Sequence, residues 1–205
     1  MMRGLWLCAG PFILLLVACS AKSQATDTSQ IFDAGSSVTP TAMVSLVPSE
    51  VPMAFELTSP SFEDGGVIPP DFACTGANQS PKLNWTEPPD GTQAFALILN
   101  DPDASSRGFV HWVIFNIPTD ARSLPAKIAP SAKLDGGTIQ GTNSWGRLGY
   151  GGPCPPEGST HTYVFTLYAL DTILDLDSEA MKDDLLSAME GHVLAKAALS
   201  APFGR

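Results

Sequence analysis

The chain has 205 residues, 44% of them hydrophobic and 16% charged, which is enough for one ordinary globular domain with length to spare at an end. Its formal net charge of −10, from 11 basic and 21 acidic residues, excludes nucleic acid as an expected partner, because the phosphate backbone is bound through clustered Lys and Arg. The acidic residues are scattered rather than gathered in a tail, the pattern of a solvated surface.

Residues 4–18, GLWLCAGPFILLLVA, form an apolar run behind Arg3, too short to span a bilayer comfortably and interrupted by Gly10 and Pro11. This predicts a secretory signal over residues 1–18. The run ends in Leu16-Val17-Ala18-Cys19, which resembles the lipobox of bacterial lipoproteins. The resemblance implies that Cys19 is acylated and becomes the first mature residue, held at a membrane by its lipid. Ordinary cleavage near Ala18 or Ala21 and an uncleaved anchor are the alternatives. Ser20 after the cysteine favours the outer membrane, so the expected location is the bacterial cell envelope, facing the periplasm. Loss of the signal removes only Arg3 from the charge count and leaves −11.

Residues 19–52 are rich in Ser, Thr, Ala, Gln and Pro without sustained periodicity, so they cannot build a packed face and are expected to act as a tether. As a flexible chain the tether reaches roughly 30 Å, far enough to hold a domain over residues 53–205 clear of a membrane. Of the four cysteines, Cys8 leaves with the signal and Cys19 carries lipid, so Cys74 and Cys154 remain. In a secreted chain two leftover thiols are expected to pair. Free thiols and a metal site are the alternatives, and the CxxC spacing of zinc sites is missing.

From residue 53 onward the chain reads as strands separated by turn signals. AFELTS at 54–59 alternates, whereas FALILN at 95–100, VHWVIFNI at 110–117 and YVFTLYAL at 163–170 are nearly continuous apolar runs, as in strands covered on both faces. PPDFACTG, EPPDG and NDPDASSRG between them carry the Pro, Gly, Asp and Ser of turns, so the class is mainly β. Ser178 is expected to cap a helix with Met181, Leu185, Ala188 and Met189 on one face and Gly191 at its end. AKAALSAPFG at 195–204 fits either an extension of that helix or a last strand.

Two stretches hold nearly every group able to carry chemistry. In NDPDASSRGFVHW, Asp101 and Asp103 flank Pro102 directly after a strand, and His111 and Trp112 begin the next. In NSWGRLGYGGPCPPEGSTHTY, at 143–163, five glycines and three prolines precede His161 and Tyr163. Each group read alone is a cap, a turn or core packing. Together at strand ends, where loops meet and clefts form, they suggest a site.

DPDA, HWVIFNIP, GYGGPCPPEG and HTYVFTLYALD, with FACTGANQSPKLNW upstream, resemble the phosphatidylethanolamine-binding protein family, and in particular its bacterial branch. The resemblance covers about residues 53–205. It implies a large central antiparallel sheet packed on a smaller sheet, and a C-terminal helix beside one pocket for phosphate-like anions. That pocket would comprise Asp101, Asp103, His111, His161, Tyr163 and the rim 152–156, with Gly152, Pro155 and Pro156. Ser105 stands where the family usually has proline, Val110 where an aromatic residue commonly precedes HW, and Thr162 where arginine is more frequent.

On physical grounds, Gly146, Gly149, Gly151 and Gly152 let main-chain amides approach an oxyanion, both histidines donate, and a neighbouring Asp raises their protonated fraction. The carboxylates are expected to orient the imidazoles rather than touch the guest. The function expected is non-catalytic binding of a phosphate-bearing small molecule or phospholipid head group, without cofactor or resident metal. The alternative is inhibition of a protein kinase or serine protease through protein contact. An acid–base enzyme is disfavoured, because Ser105, Ser144 and Ser159 lack a nucleophile context.

Overall fold

The protein is described from a computed structural model, which covers residues 54–205. The signal, Cys19 and tether expectations fall outside the described residues. Among the described residues, eight strands form two antiparallel sheets, accompanied by one α-helix. Strands β1 (Leu57–Thr58), β2 (Leu83–Trp85) and β5 (Ser123–Leu124) make the small sheet, in the order β1-β2-β5. The large sheet runs β6-β4-β3-β7-β8, with β3 Ala94–Asp101, β4 Phe109–Pro118, β6 Ile139–Gln140, β7 Thr160–Leu170 and β8 Val193–Gly204. This is the expected pairing of a large sheet with a smaller one.

The continuous apolar runs of β3 and β4 have a simple cause: the large sheet is covered on both faces. Phe95, Leu97 and Leu99 of β3 point with Trp112, Ile114, Phe165 and Leu199 toward Leu57, Leu83, Trp85 and Leu124 of the small sheet. Ala96 and Ile98 point the other way, with Val113 and Phe115, onto Leu174, Ala180, Leu185 and Met189. Alternate residues thus feed two different cores, so neither parity is free to be polar.

The helix α1 (Lys182–Ala188) supplies Leu185 to the second core. It starts later than the Ser178 cap predicts. Met181 is the capping position, and the Asp184 carboxylate accepts the Met181 amide at 2.9 Å. The main chain of Ser178 is used elsewhere, its carbonyl accepting from the Thr142 hydroxyl.

The ambiguous segment is strand β8, paired with β7 from Gly204 back to Val193. Its Ala197, Leu199, Ala201 and Phe203 face the first core in strict alternation. Pro202 is tolerated because β8 is an edge strand, and its carbonyl accepts the Ile68 amide from a covering loop. The stretch 54–59 is largely irregular, with only Leu57 and Thr58 laddered; Phe55 nevertheless stacks on Phe95 at 6.2 Å.

Candidate functional site

Strand β3 ends at Asp101, whose 2% exposure marks it as a buried carboxylate. Its Oδ1 accepts the amides of Asp103 at 2.9 Å and Ala104 at 3.0 Å, closing the turn that Pro102 begins. Its Oδ2 accepts from Nδ1 of His161 at 2.8 Å, which ties the start of β7 to the end of β3. Asp103 is exposed and accepts the Thr162 amide at 2.7 Å. The two carboxylates therefore divide the work: Asp101 orients an imidazole, and Asp103 clips the main chain beside it.

His111 reaches the same place through an irregularity in β4. Leu99 pairs with Trp112 and Asn100 with Val110, so His111 has no partner on β3. Such a bulge re-aims a side chain. Val110 packs toward the second core while the His111 ring meets Tyr163 at 5.1 Å, edge to face, on the other side of the sheet.

The His111 Nδ1 lies 2.8 Å from the Gly151 carbonyl oxygen and 3.2 Å from that of Gly152. Carbonyls only accept, so Nδ1 carries the hydrogen, and the same reasoning holds for His161 on Asp101. Each imidazole is anchored through Nδ1 and leaves Nε2 for something else.

Burial holds His111 below its ordinary imidazole range, and this outweighs the opposing pull of the Gly151 carbonyl and the Asp101 charge. The expectation that a neighbouring aspartate raises the protonated fraction of both histidines is thus corrected at His111, where desolvation wins.

Tyr163 is fully buried, and its hydroxyl sits beside the Asp101 carboxylate and the Cys154 main chain without a well-formed hydrogen bond to either; the Trp85 indole nitrogen of the small sheet is the other buried polar atom without a well-formed bond among the described residues. Burial, with the Asp101 charge second, pushes the phenol well above its ordinary range, so the hydroxyl stays a protonated donor.

The glycine-rich stretch does not supply the donors expected of it. The Gly146 amide donates to the Asn143 carbonyl, Gly149 to Gly141, Gly151 to His111 and Gly152 to Oδ1 of Asn78. Every one of these N–H groups is satisfied inside the protein, and Pro153, Pro155 and Pro156 have none to offer. The glycines serve close approach instead. A Cβ on Gly152 would run into the Phe72 carbonyl, and one on Gly151 into the ring of Trp145. Pro155 is buried and Pro156 exposed at the turn.

The rim is stitched to the 70–78 loop by the Cys74–Cys154 disulfide, whose Cα atoms are 5.4 Å apart, and by the Tyr150 hydroxyl donating to the Phe72 carbonyl at 2.6 Å. The expected pairing of the two cysteines is present.

Trp145 and Phe109 belong to the site although the residue pattern did not single them out. Trp145 packs edge-on to His111 at 4.8 Å and Phe109 at 5.4 Å, so three aromatic rings enclose that imidazole. A tryptophan within a glycine-rich turn was the signal available in the sequence; the structure leaves Trp145 42% exposed. On the outer side of Gly151 and Gly152 lies a cavity of about 560 Å³ lined by Trp145, Arg147, Tyr150 and the disulfide. Asp101, His111 and His161 do not line it; they gather where the ends of β3, β4 and β7 meet, and the His161 side chain there is 14% exposed.

The family model for phosphatidylethanolamine-binding protein matches residues 58–204. A UPF0098 protein of Methanothermobacter thermautotrophicus is 49% identical over 149 residues, covering 73% of this chain and 98% of that one. A UPF0098 protein of Aquifex aeolicus is 42% identical over 144 residues, covering 69% and 84%. Among solved structures, YbcL of E. coli, described as a new member of the mammalian PEBP family, superposes with a TM-score of 0.69 at 32% identity, covering 74% of this chain and 98% of that one. The homologue CT736 of Chlamydia trachomatis gives 0.67 at 32% identity with the same coverage. With its two-sheet fold, its bulged histidine and these matches together, the chain belongs to the phosphatidylethanolamine-binding protein family.

Proposed function

We propose that the cluster of Asp101, His111, His161 and Tyr163 binds the phosphate of a small molecule or of a phospholipid head group, without catalysing a reaction on it. The observation that carries this reading is the Tyr163 hydroxyl, a buried donor that makes no well-formed bond to the Asp101 carboxylate or Cys154 main chain beside it, in one cluster with two imidazoles that each leave Nε2 unengaged. Native proteins rarely leave a buried polar group unpaired, and such groups gather where a guest belongs. Family membership supports binding in the general sense. Asp101 acts through His161, which it holds by Nδ1.

In the same reading the chain is tethered to the bacterial envelope by lipid on Cys19 and faces the periplasm. Isothermal titration of phosphate and phosphoethanolamine into the protein tests the binding: saturable heat that is lost in His161→Ala supports it, and absent or unchanged heat overturns it. Mass spectrometry of the protein from a bacterial envelope tests the tether. A diacylglycerol mass on Cys19, abolished in Cys19→Ser, is expected, and an unmodified thiol contradicts it.

A further inference from the structure

The cavity beside Gly151 and Gly152 continues past Tyr150. A second hollow of about 370 Å³ adjoins it, and Asn78, Pro130 and Tyr150 line both, so the two make one groove. Arg147 stands in the first hollow and Lys127 in the second. Among the described residues no Asp or Glu lines either, although the chain holds 21 acidic residues against 11 basic ones. Both cations are exposed, and neither forms an ion pair among the described residues, whereas Arg122 and Arg205 are held by Glu87 and Glu157.

The backbone under the second hollow is held in an unusual shape. Lys127 has a φ of 64° and Asn78 one of 52°, the left-handed region that a long side chain such as lysine seldom enters. Such a conformation costs about 1 kcal/mol and persists where the surroundings impose it. Here Ser80 imposes it: its carbonyl accepts the Lys127 amide and its hydroxyl oxygen the Ile128 amide, each at 2.9 Å. Asn78 is fixed through Oδ1, which accepts the Gly152 amide at 2.7 Å and leaves Nδ2 as the donor side.

We infer that this groove docks an extended acidic peptide segment of another protein. One carboxylate of the peptide meets the Arg147 guanidinium, a second meets the Lys127 ammonium, and the chain between them lies over Pro130 and Tyr150. The guanidinium receives a carboxylate in a two-pronged fit, and the side-chain amides of Asn78 and Gln79 offer the hydrogen bonds that a peptide main chain exchanges. The exposed Trp145 ring and Leu148 give an apolar side chain a place to rest. Charge selects a short acidic stretch over a long polyanion. Screening at physiological salt limits electrostatic reach to about 8 Å, so a peptide feels the two cations, whereas a polymer that overruns the groove meets an acidic surface. Asp101, His111, His161 and Tyr163 line neither hollow, so the inference stands apart from the phosphate reading.

The test is fluorescence anisotropy on the full chain. The probe is a short peptide, labelled with a neutral dye, that carries glutamate at each end of an Ala-Pro-Ala core. Saturable binding that weakens with added salt is expected. Each of Arg147→Gln and Lys127→Asn, the latter chosen because asparagine tolerates the left-handed turn, should weaken it by about threefold to fivefold, and the pair by about tenfold or more. The same peptide with glutamine ends should bind the wild type as weakly as the glutamate peptide binds the double variant. Arg147→Glu should favour a version with lysine ends.

No saturable binding overturns the inference, and so does equal affinity for the glutamate and glutamine peptides or an affinity that the double variant leaves unchanged. Tighter binding of the sulfated polysaccharide heparin than of the peptide, lost in the same variants, assigns the groove to a polyanion and also overturns it.

Discussion

Replacing Tyr163 by phenylalanine removes a buried hydroxyl that makes no well-formed hydrogen bond within the protein. Leaving a buried hydroxyl unpaired costs about 1–3 kcal/mol, and deleting it returns part of that while opening only an oxygen-sized gap against the His111 ring 5.1 Å away. The unliganded variant should therefore gain about 1 kcal/mol, seen as a rise in Tm of roughly 2–4 °C for a domain of this size. Phosphate affinity should move the other way. Losing one charge-assisted hydrogen bond costs about 1.5–3 kcal/mol, or about tenfold to a hundredfold in Kd. Differential scanning fluorimetry with and without phosphate reads both effects in one series. Opposite signs are the signature of a donor kept for a guest. A variant that is less stable and binds phosphate normally would falsify the reasoning, because the hydroxyl would then be serving the fold, most plainly through Asp101.

The depressed proton affinity of His111 sets a pH dependence of stability. Its ordinary value is 6.5, and burial lowers it in the folded state, so as pH falls through 6.5 the unfolded chain takes up a proton that the native state refuses. Stability should be unaffected by this group above pH 7.5 and fall below 6.5 by at most about 1.4 kcal/mol per pH unit until the folded value is reached. Urea midpoints measured from pH 8 to 5 should show that component in the wild type and lose it in His111→Asn. Converting both Cys74 and Cys154 to serine opens a loop with a sequence separation of 80 and should cost about 2–5 kcal/mol in denaturant unfolding; a cost near zero contradicts the role given to the disulfide. Gly151→Ala should push the Trp145 ring off the rim, which tryptophan emission would report as a red shift, with a loss of about 1–3 kcal/mol from overpacking.

The legible parts of the fold were those where burial speaks directly through composition. Strands β3 and β4 are long apolar runs because their alternate residues enter two cores, and β7 sends Tyr163, Phe165, Leu167 and Ala169 into the first core and Leu170 into the second. The last strand was less legible: alanine suits either helix or strand, and the deciding fact, that Ala197, Leu199, Ala201 and Phe203 meet the first core, is tertiary. The helix start was misplaced because Ser178 is a good cap by type, whereas the chain capped Met181 through Asp184.

In the site, residue types at strand ends brought Asp101, His111, His161 and Tyr163 forward correctly as neighbours. The β4 bulge that turns His111 inward left no mark in the sequence. The use of the glycine amides was misjudged for a related reason. A glycine announces that backbone comes close to something, but what it approaches, here the Phe72 carbonyl and the Trp145 ring, is settled by loops far away in the chain.

In the proposed site His111, His161 and Tyr163 hold one phosphate, with Asp101 fixing His161. A crystal structure of the protein grown with phosphate at pH 6 addresses this most directly. The prediction is tetrahedral density within hydrogen-bond distance of Nε2 of His111, Nε2 of His161 and the Tyr163 hydroxyl. Phosphate bound only in the outer cavity beside Arg147, or none in the cluster at saturating concentration, contradicts it.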